Sequence, residues 1–152
     1  MSTSRPAPHP EASRGRTSGP GRILVAVYAV LAIAATGRSG FQIVDRFDEA
    51  PVAFSLSALA AVVYLVATLA LALHWKRAAW VTIGFELLGV LVIGTLSLVA
   101  PAVLGLDSAD PFGREATVWS AYGAGYLCVP LVLPVIGLLY LWRRRPAVAS
   151  AA

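Results

Sequence analysis

The chain has 152 residues, of which 58% are hydrophobic and 13% are charged, and its mean hydropathy is +0.74. A soluble domain carries about 25% charged residues, so this composition argues against a soluble globular protein. The formal net charge of +4 comes with no basic face interleaved with aromatic residues, which argues against nucleic-acid binding. The single cysteine, Cys128, excludes an intramolecular disulfide and a thiolate metal site.

Residues 1–21 are rich in Ser, Pro, Gly and Arg and have no apolar periodicity, which predicts a disordered basic tail. Four apolar segments follow, over residues 23–44, 51–73, 79–99 and 118–142. Each has about 20 residues, enough to cross about 30 Å of hydrocarbon as a helix. No alternating barrel pattern occurs. The sequence therefore predicts an all-α, transmembrane four-helix bundle with up-down topology over residues 22–145, followed by a short tail over 146–152.

Basic residues cluster on one predicted side of this bundle. That side has nine basic residues and one acidic residue, Glu11, whereas the other side has three basic and six acidic residues. The nine basic residues are Arg5, Arg14, Arg16, Arg22, Lys76, Arg77, Arg143, Arg144 and Arg145. Positive charge near helix ends stays in the cytoplasm, so we expect a multi-pass protein of the cell membrane with both termini cytoplasmic. The four tryptophans lie near predicted boundaries, as in an aromatic belt: Trp75, Trp80, Trp119 and Trp142.

The first apolar segment has a second interpretation, as a cleaved signal peptide. A basic leader, an apolar core and the small-residue triplet 32–34 occur together there. However, the apolar stretch continues through Phe41 and Val44, and the charge bias already explains a permanent helix. The sequence favours the permanent helix.

Glu86 is an acidic residue inside the third apolar segment. A charged side chain in a lipid-facing position costs about 2.5–3.5 kcal/mol or more. We therefore expect this carboxyl to be neutral and to face the bundle interior. Tyr28, Tyr64 and Thr68 lie at similar heights and are its predicted partners. The structural interpretation is a hydrogen bond between helices, and the functional interpretation is a proton- or cation-binding carboxylate.

Arg38 lies late in the first segment, about 12 Å from Glu86 along the membrane normal. A strained ion pair between these two residues is one interpretation. We favour an Arg38 side chain that extends outward, where it forms an outer-face charge cluster with Asp45, Asp48 and Glu49. Residues 40–51 predict an amphipathic turn at this interface, either an anchored connector or a docking surface.

Pro130 and Pro134 predict a kink in the fourth helix, because each removes a backbone donor and disturbs the carbonyl four residues earlier.

No metalloprotease motif, phosphate-binding loop or nucleophile elbow occurs. His9 and His74 do not form an interior pair for haem, and Asp107 to Asp110 lacks the spacing of a calcium loop. We expect no catalytic residue, no cofactor and no metal, and therefore no enzyme.

Three stretches, residues 35–73, 85–99 and 116–141, resemble uncharacterised small four-helix integral membrane proteins of high-GC Gram-positive bacteria. The resemblance implies membrane location and architecture, and it carries over no catalytic residue. Small multidrug-resistance exporters are also compact four-helix proteins, but their essential glutamate lies on the first helix rather than the third.

Two functions follow from these observations. The first is a non-enzymatic structural or accessory protein that packs in the lipid bilayer with itself, as a homo-oligomer, or with a larger membrane complex. The alternative is a small proton-coupled transporter that uses the membrane-embedded Glu86.

Overall fold

The computed structural model describes residues 19–106 and 116–144, and these residues form an all-α fold. The α-helices are α1 (Gly19–Asp45), α2 (Pro51–Ala72), α3 (Lys76–Val99) and α4 (Val129–Arg143). Short 3-10 segments cover Phe47–Glu49 and Pro101–Leu104, and the short segment Ser120–Tyr126 is interrupted by left-handed backbone at residues 121–123. Residues 1–18, 107–115 and 145–152, which include most of both predicted tails, lie outside the described residues.

The first residues of α1 and α3 differ from the predicted ones. Residues 19–21 belong to α1 and not to the tail, since Pro20 is tolerated in a first helical turn, where its missing N–H has no partner to lose. α3 begins at Lys76, three residues before the predicted start. Pro51 opens α2 for the same reason as Pro20.

Three helices, α1, α2 and α3, are each long and apolar enough to cross a membrane. A fourth crossing is reached only if Ser120–Tyr126 and α4 are taken together as one broken span. These helices indicate a membrane-embedded protein. They carry large apolar side chains outward, among them Ile33, Val44, Val81 and Leu88, each more than half exposed.

The prediction of one continuous helix over residues 118–142 is wrong. Ser120–Tyr126 and α4 meet at 99°. The backbone between them takes left-handed dihedral angles, with φ of +55° at Leu127 and +57° at Cys128. Pro130 lies in the first turn of α4, where a missing N–H is tolerated, but a helix could not continue upstream through it without losing a hydrogen bond.

Gly123 provides the room for this turn. Its φ is +78°, and a Cβ atom added there would lie 2.7 Å from the Pro130 ring. The chain therefore changes direction before Pro130, whereas the sequence predicted a kink inside an unbroken helix. Pro134 lies within α4, which continues on both sides of it.

Small side chains hold α1 and α2 together. α1 contributes Ala32, Ala35 and Ser39 to the core, and α2 contributes a buried face of mostly Ala and Ser. Small residues let membrane helices approach closely. α2 also packs on α3, and α3 packs on α4 and on Ser120–Tyr126, whereas α1 and α4 meet only briefly.

Candidate intramembrane polar site

Glu86 is the eleventh residue of the 24-residue helix α3 and its side chain is fully buried, with 0% exposure. At 1.5 Å per residue, its Cα lies about 15 Å along the helix from Lys76, close to the middle of a bilayer-length helix. The neighbouring residues Phe85 and Leu88 are exposed. Helical periodicity therefore turns the carboxyl inward while these apolar neighbours face outward.

Tyr28 on α1 is the partner of Glu86. Its hydroxyl donates a hydrogen bond of 2.7 Å to Oε2 of Glu86, and the Tyr28 side chain is also fully buried. The other carboxyl oxygen, Oε1, has no hydrogen-bond partner among the described residues. The structure thus brings together the acid and one of its three predicted partners.

Tyr64 and Thr68 on α2 take other roles. The Tyr64 ring lies 6.4 Å from the Tyr28 ring, centre to centre and tilted by 53°. Its hydroxyl accepts a hydrogen bond of 3.2 Å from Nε1 of Trp119. The Thr68 hydroxyl donates at 2.7 Å to the carbonyl of Tyr64 in its own helix. Tyr64 therefore belongs to the same buried cluster as Glu86, and Thr68 does not bond to the carboxyl.

Trp119 is a member of this cluster that the sequence interpretation missed. The prediction that it belongs to an interfacial belt is wrong, since its side chain is 1% exposed. It packs edge-on against Phe85, with ring centres 6.5 Å apart. A Cβ atom added to Gly89 would lie 2.8 Å from its ring. Gly89 on α3 was the available signal, because a small residue in a membrane helix leaves room for a neighbouring segment to approach closely.

The loop before Trp119 is held by side chains of its own. The Thr117 N–H donates to Oγ of Ser120 at 2.9 Å, and the Trp119 N–H donates to Oγ1 of Thr117 at 3.1 Å. Such Ser and Thr turns satisfy backbone groups that no helix satisfies. They orient the indole toward Tyr64.

Ser97 on α3 supports the irregular backbone that follows. Its hydroxyl accepts a hydrogen bond of 2.8 Å from the N–H of Ala121 and donates one of 2.8 Å to the carbonyl of Gly94. Ala121 has a left-handed φ of +46°. Non-helical backbone at membrane depth is tolerated only where it is buried and bonded in this way.

The outer-face charge cluster has two described bonds. Nη2 of Arg38 donates at 2.8 Å to the carbonyl of Ala116, an acceptor that the sequence interpretation did not consider. Arg46 forms an ion pair with Glu49. Asp45 and Asp48 are exposed. The interpretation of a deep ion pair is wrong, because Oε2 of Glu86 bonds Tyr28 and Oε1 bonds none of the described residues. A bond from Arg38 to the outer carboxylates stays a prediction.

Among the described residues, the buried cluster contains one acidic side chain, Glu86, which accepts a hydrogen bond from the Tyr28 hydroxyl. In residues 19–106 and 116–144, no group of three or more His, Cys, Asp or Glu side chains is placed to bind a metal. Comparison with models of protein families, with curated proteins and with solved structures found no match. Function is therefore inferred from this cluster and from the surfaces of the helices.

Proposed function

We propose that the protein is a non-enzymatic structural or accessory protein of the cell membrane that packs with itself or with a larger membrane complex. The observation that carries this proposal is the closure of the bundle around Glu86. The carboxyl is fully buried and bonded to Tyr28. It does not line the cavity where α2 and α4 end, the groove between α1 and α4, or the open cavity around Arg143. A transported substrate needs a path to the carboxyl, whereas a hydrogen bond that joins two helices needs none.

The proposed topology has both termini in the cytoplasm and four crossings. Three continuous spans and the charge asymmetry of the sequence support it. α4 alone has 15 residues, about 22 Å of helix, which is short for a bilayer. The fourth crossing requires that Ser120–Tyr126 and α4 together form one broken span. The resemblance to small four-helix membrane proteins agrees with this architecture and also stays a proposal.

Two glycines on α1 support the packing role. Gly37 and Gly40 are exposed, and a Cβ atom added at either position would meet nothing within 4 Å. None of the described residues therefore requires a glycine there, although glycine weakens a helix by about 1 kcal/mol relative to alanine. Small residues in membrane helices allow a second helix to approach closely. This face of α1 is the proposed contact with another copy or with a larger partner.

A paired substitution tests this contact. We expect Gly37→Leu with Gly40→Leu to fold normally and to lose association, measured by chemical crosslinking and affinity purification from native membranes. Gly84→Leu is the matched control, because Gly84 on α3 also has open space around it. Unchanged association in the α1 variant, or an equal loss in the Gly84 variant, would contradict this contact. A monomer without any stoichiometric partner would contradict the packing role itself.

The alternative, a small proton-coupled transporter, has one observation in its favour. Oε1 of Glu86 is buried and has no hydrogen-bond partner within residues 19–106 and 116–144, and buried intramembrane carboxyls of this kind commonly bind protons. Glu86→Gln keeps the shape of the side chain but cannot exchange a proton. Loss of pH-driven flux in proteoliposomes on this substitution, with normal folding, would favour the transporter over the packing role.

A further inference from the structure

A small cavity of about 120 Å³ lies where α2 ends, α3 begins and α4 ends. Three basic residues line it: His74, Lys76 and Arg144. The guanidinium carbon of Arg144 lies 4.7 Å from the centre of the Tyr140 ring, in the geometry of a cation over an aromatic face. No Asp or Glu of the described chain lines this cavity. Its charge therefore suits an anionic group.

Tyr140 connects this basic cavity with the neighbouring surface. A more open cavity of about 460 Å³ is lined by Tyr140, Arg143 and Arg144 together with apolar residues such as Pro20 and Ile136. The Tyr140 hydroxyl also packs directly against Gly21, where an added Cβ atom would overlap it. The basic surface thus continues from α3 around the end of α4 to the start of α1.

An apolar groove of about 500 Å³ continues from there between α1 and α4. Apart from the Tyr140 hydroxyl, its lining side chains are entirely hydrocarbon, for example Val27 on α1 and Val132 on α4. The groove exists because α4 packs on α3 and barely touches α1. From Val129 to Tyr140 it extends about 16 Å along α4, which is close to half of the ~30 Å hydrocarbon core.

We propose that this surface binds one anionic phospholipid, with the phosphate at Lys76 and Arg144 and an acyl chain in the groove between α1 and α4. A basic end joined to an apolar groove one leaflet deep matches a phospholipid in both charge and length. The basic end is also the proposed cytoplasmic end, where the leaflet carries anionic lipid. The proposal rests on the membrane topology proposed above and is independent of which partner the protein packs with.

Native mass spectrometry of the full chain in detergent, titrated with phosphatidylglycerol or with phosphatidylcholine of the same acyl chains, tests this site. We expect one phosphatidylglycerol to remain bound at concentrations where phosphatidylcholine does not. Lys76→Gln should weaken its binding about fivefold, since each basic residue near the surface contributes about 1 kcal/mol. Arg77→Gln is the matched control, because the adjacent Arg77 is exposed and does not line the cavity.

A second pair of variants tests the acyl-chain groove. Val132→Trp should fill the groove and lower binding of both lipids, whereas Val92→Trp, at a similarly exposed position of α3, should not. Equal binding of the two lipids, or equal losses in Lys76→Gln and Arg77→Gln, would overturn the headgroup site. Displacement of the lipid by inorganic phosphate, without an effect of Val132→Trp, would show a site for free phosphate and overturn the lipid proposal.

Discussion

The hydroxyl of Tyr28 on α1 lies 2.7 Å from Oε2 of Glu86 on α3, and both side chains are fully buried. α2 packs against both of these helices, so the bond closes a three-helix arrangement across its interior. Trp119, from the segment after α3, bonds Tyr64 of α2 beside it. The polar cluster therefore links α1, α2, α3 and the start of the fourth segment.

The bond between Tyr28 and Glu86 should be measurable as a coupling energy. Tyr28→Phe and Glu86→Leu should be non-additive in the free energy of unfolding by about 0.6–1.7 kcal/mol, the range of hydrogen bonds between membrane helices. Reversible unfolding in mixed micelles measures it. Thr68→Val with Glu86→Leu is the control and should be additive, because Thr68 bonds its own helix. Coupling as large in the control cycle would argue against a specific bond.

Glu86 should carry its proton at neutral pH. In the part of the chain that the structure describes, the carboxyl bonds the uncharged Tyr28 hydroxyl and no cation, and an unpaired buried charge costs far more than a neutral carboxyl that keeps a hydrogen bond. Infrared spectroscopy of the protein in lipid should show a protonated carboxyl stretch that disappears in Glu86→Gln. A carboxylate band assigned to Glu86 at neutral pH would instead indicate a water-filled or cation-paired site.

Gly89 and Gly84 should respond oppositely to the same substitution. Gly89→Ala places a methyl group 2.8 Å from the Trp119 ring, which is buried and cannot move away freely. We expect it to destabilise the fold by about 1–3 kcal/mol, as overpacking does. Gly84→Ala meets nothing within 4 Å and should stabilise α3 by up to about 1 kcal/mol. Thermal unfolding of both variants measures these changes in stability. A Gly89→Ala protein as stable as the original would contradict the packing of Trp119 against Gly89.

Ser97→Ala should loosen the bent fourth segment. It removes the acceptor of the Ala121 N–H and should cost about 1–3 kcal/mol, the penalty for a buried donor without a partner. Ser57→Ala is the control, since Ser57 is equally buried but bonds only the carbonyl of Ala53 in its own helix. Hydrogen exchange should rise around residue 121 in the first variant alone. Unchanged exchange there would show that Ser97 does not support this backbone.

The topology makes a simple prediction. Reporter fusions placed after residue 145 and within residues 107–115 should report opposite sides of the membrane, with the C-terminus cytoplasmic, because basic residues concentrate at one end of the helices. Removal of the positive charge at residues 143–145 should weaken this preference. Signals from the same side would mean that Ser120–Tyr126 and α4 enter and leave through one face.

The sequence predicted the hydrogen-bond partner of Glu86 only in part. Counting residues along helices predicts height, and it correctly put Tyr28 within reach of Glu86. It does not predict how each helix is rotated about its axis, and that rotation decides that Tyr28 bonds the carboxyl while Thr68 bonds its own helix. The burial of Trp119 could not be predicted from the sequence either, because it depends on a backbone that turns back toward α3.

The sequence by itself determined the membrane-embedded all-α class and the three continuous spans, because apolar length and the need to satisfy backbone hydrogen bonds leave a helix as the one solution. The shape of the fourth segment was decided only by the tertiary structure. Gly123 and Pro130 make a turn feasible, but an isolated apolar segment of this length would form a helix in lipid. It bends because Ser97 bonds the irregular backbone and Gly89 makes room for Trp119, and these contacts exist only once α3 is in place.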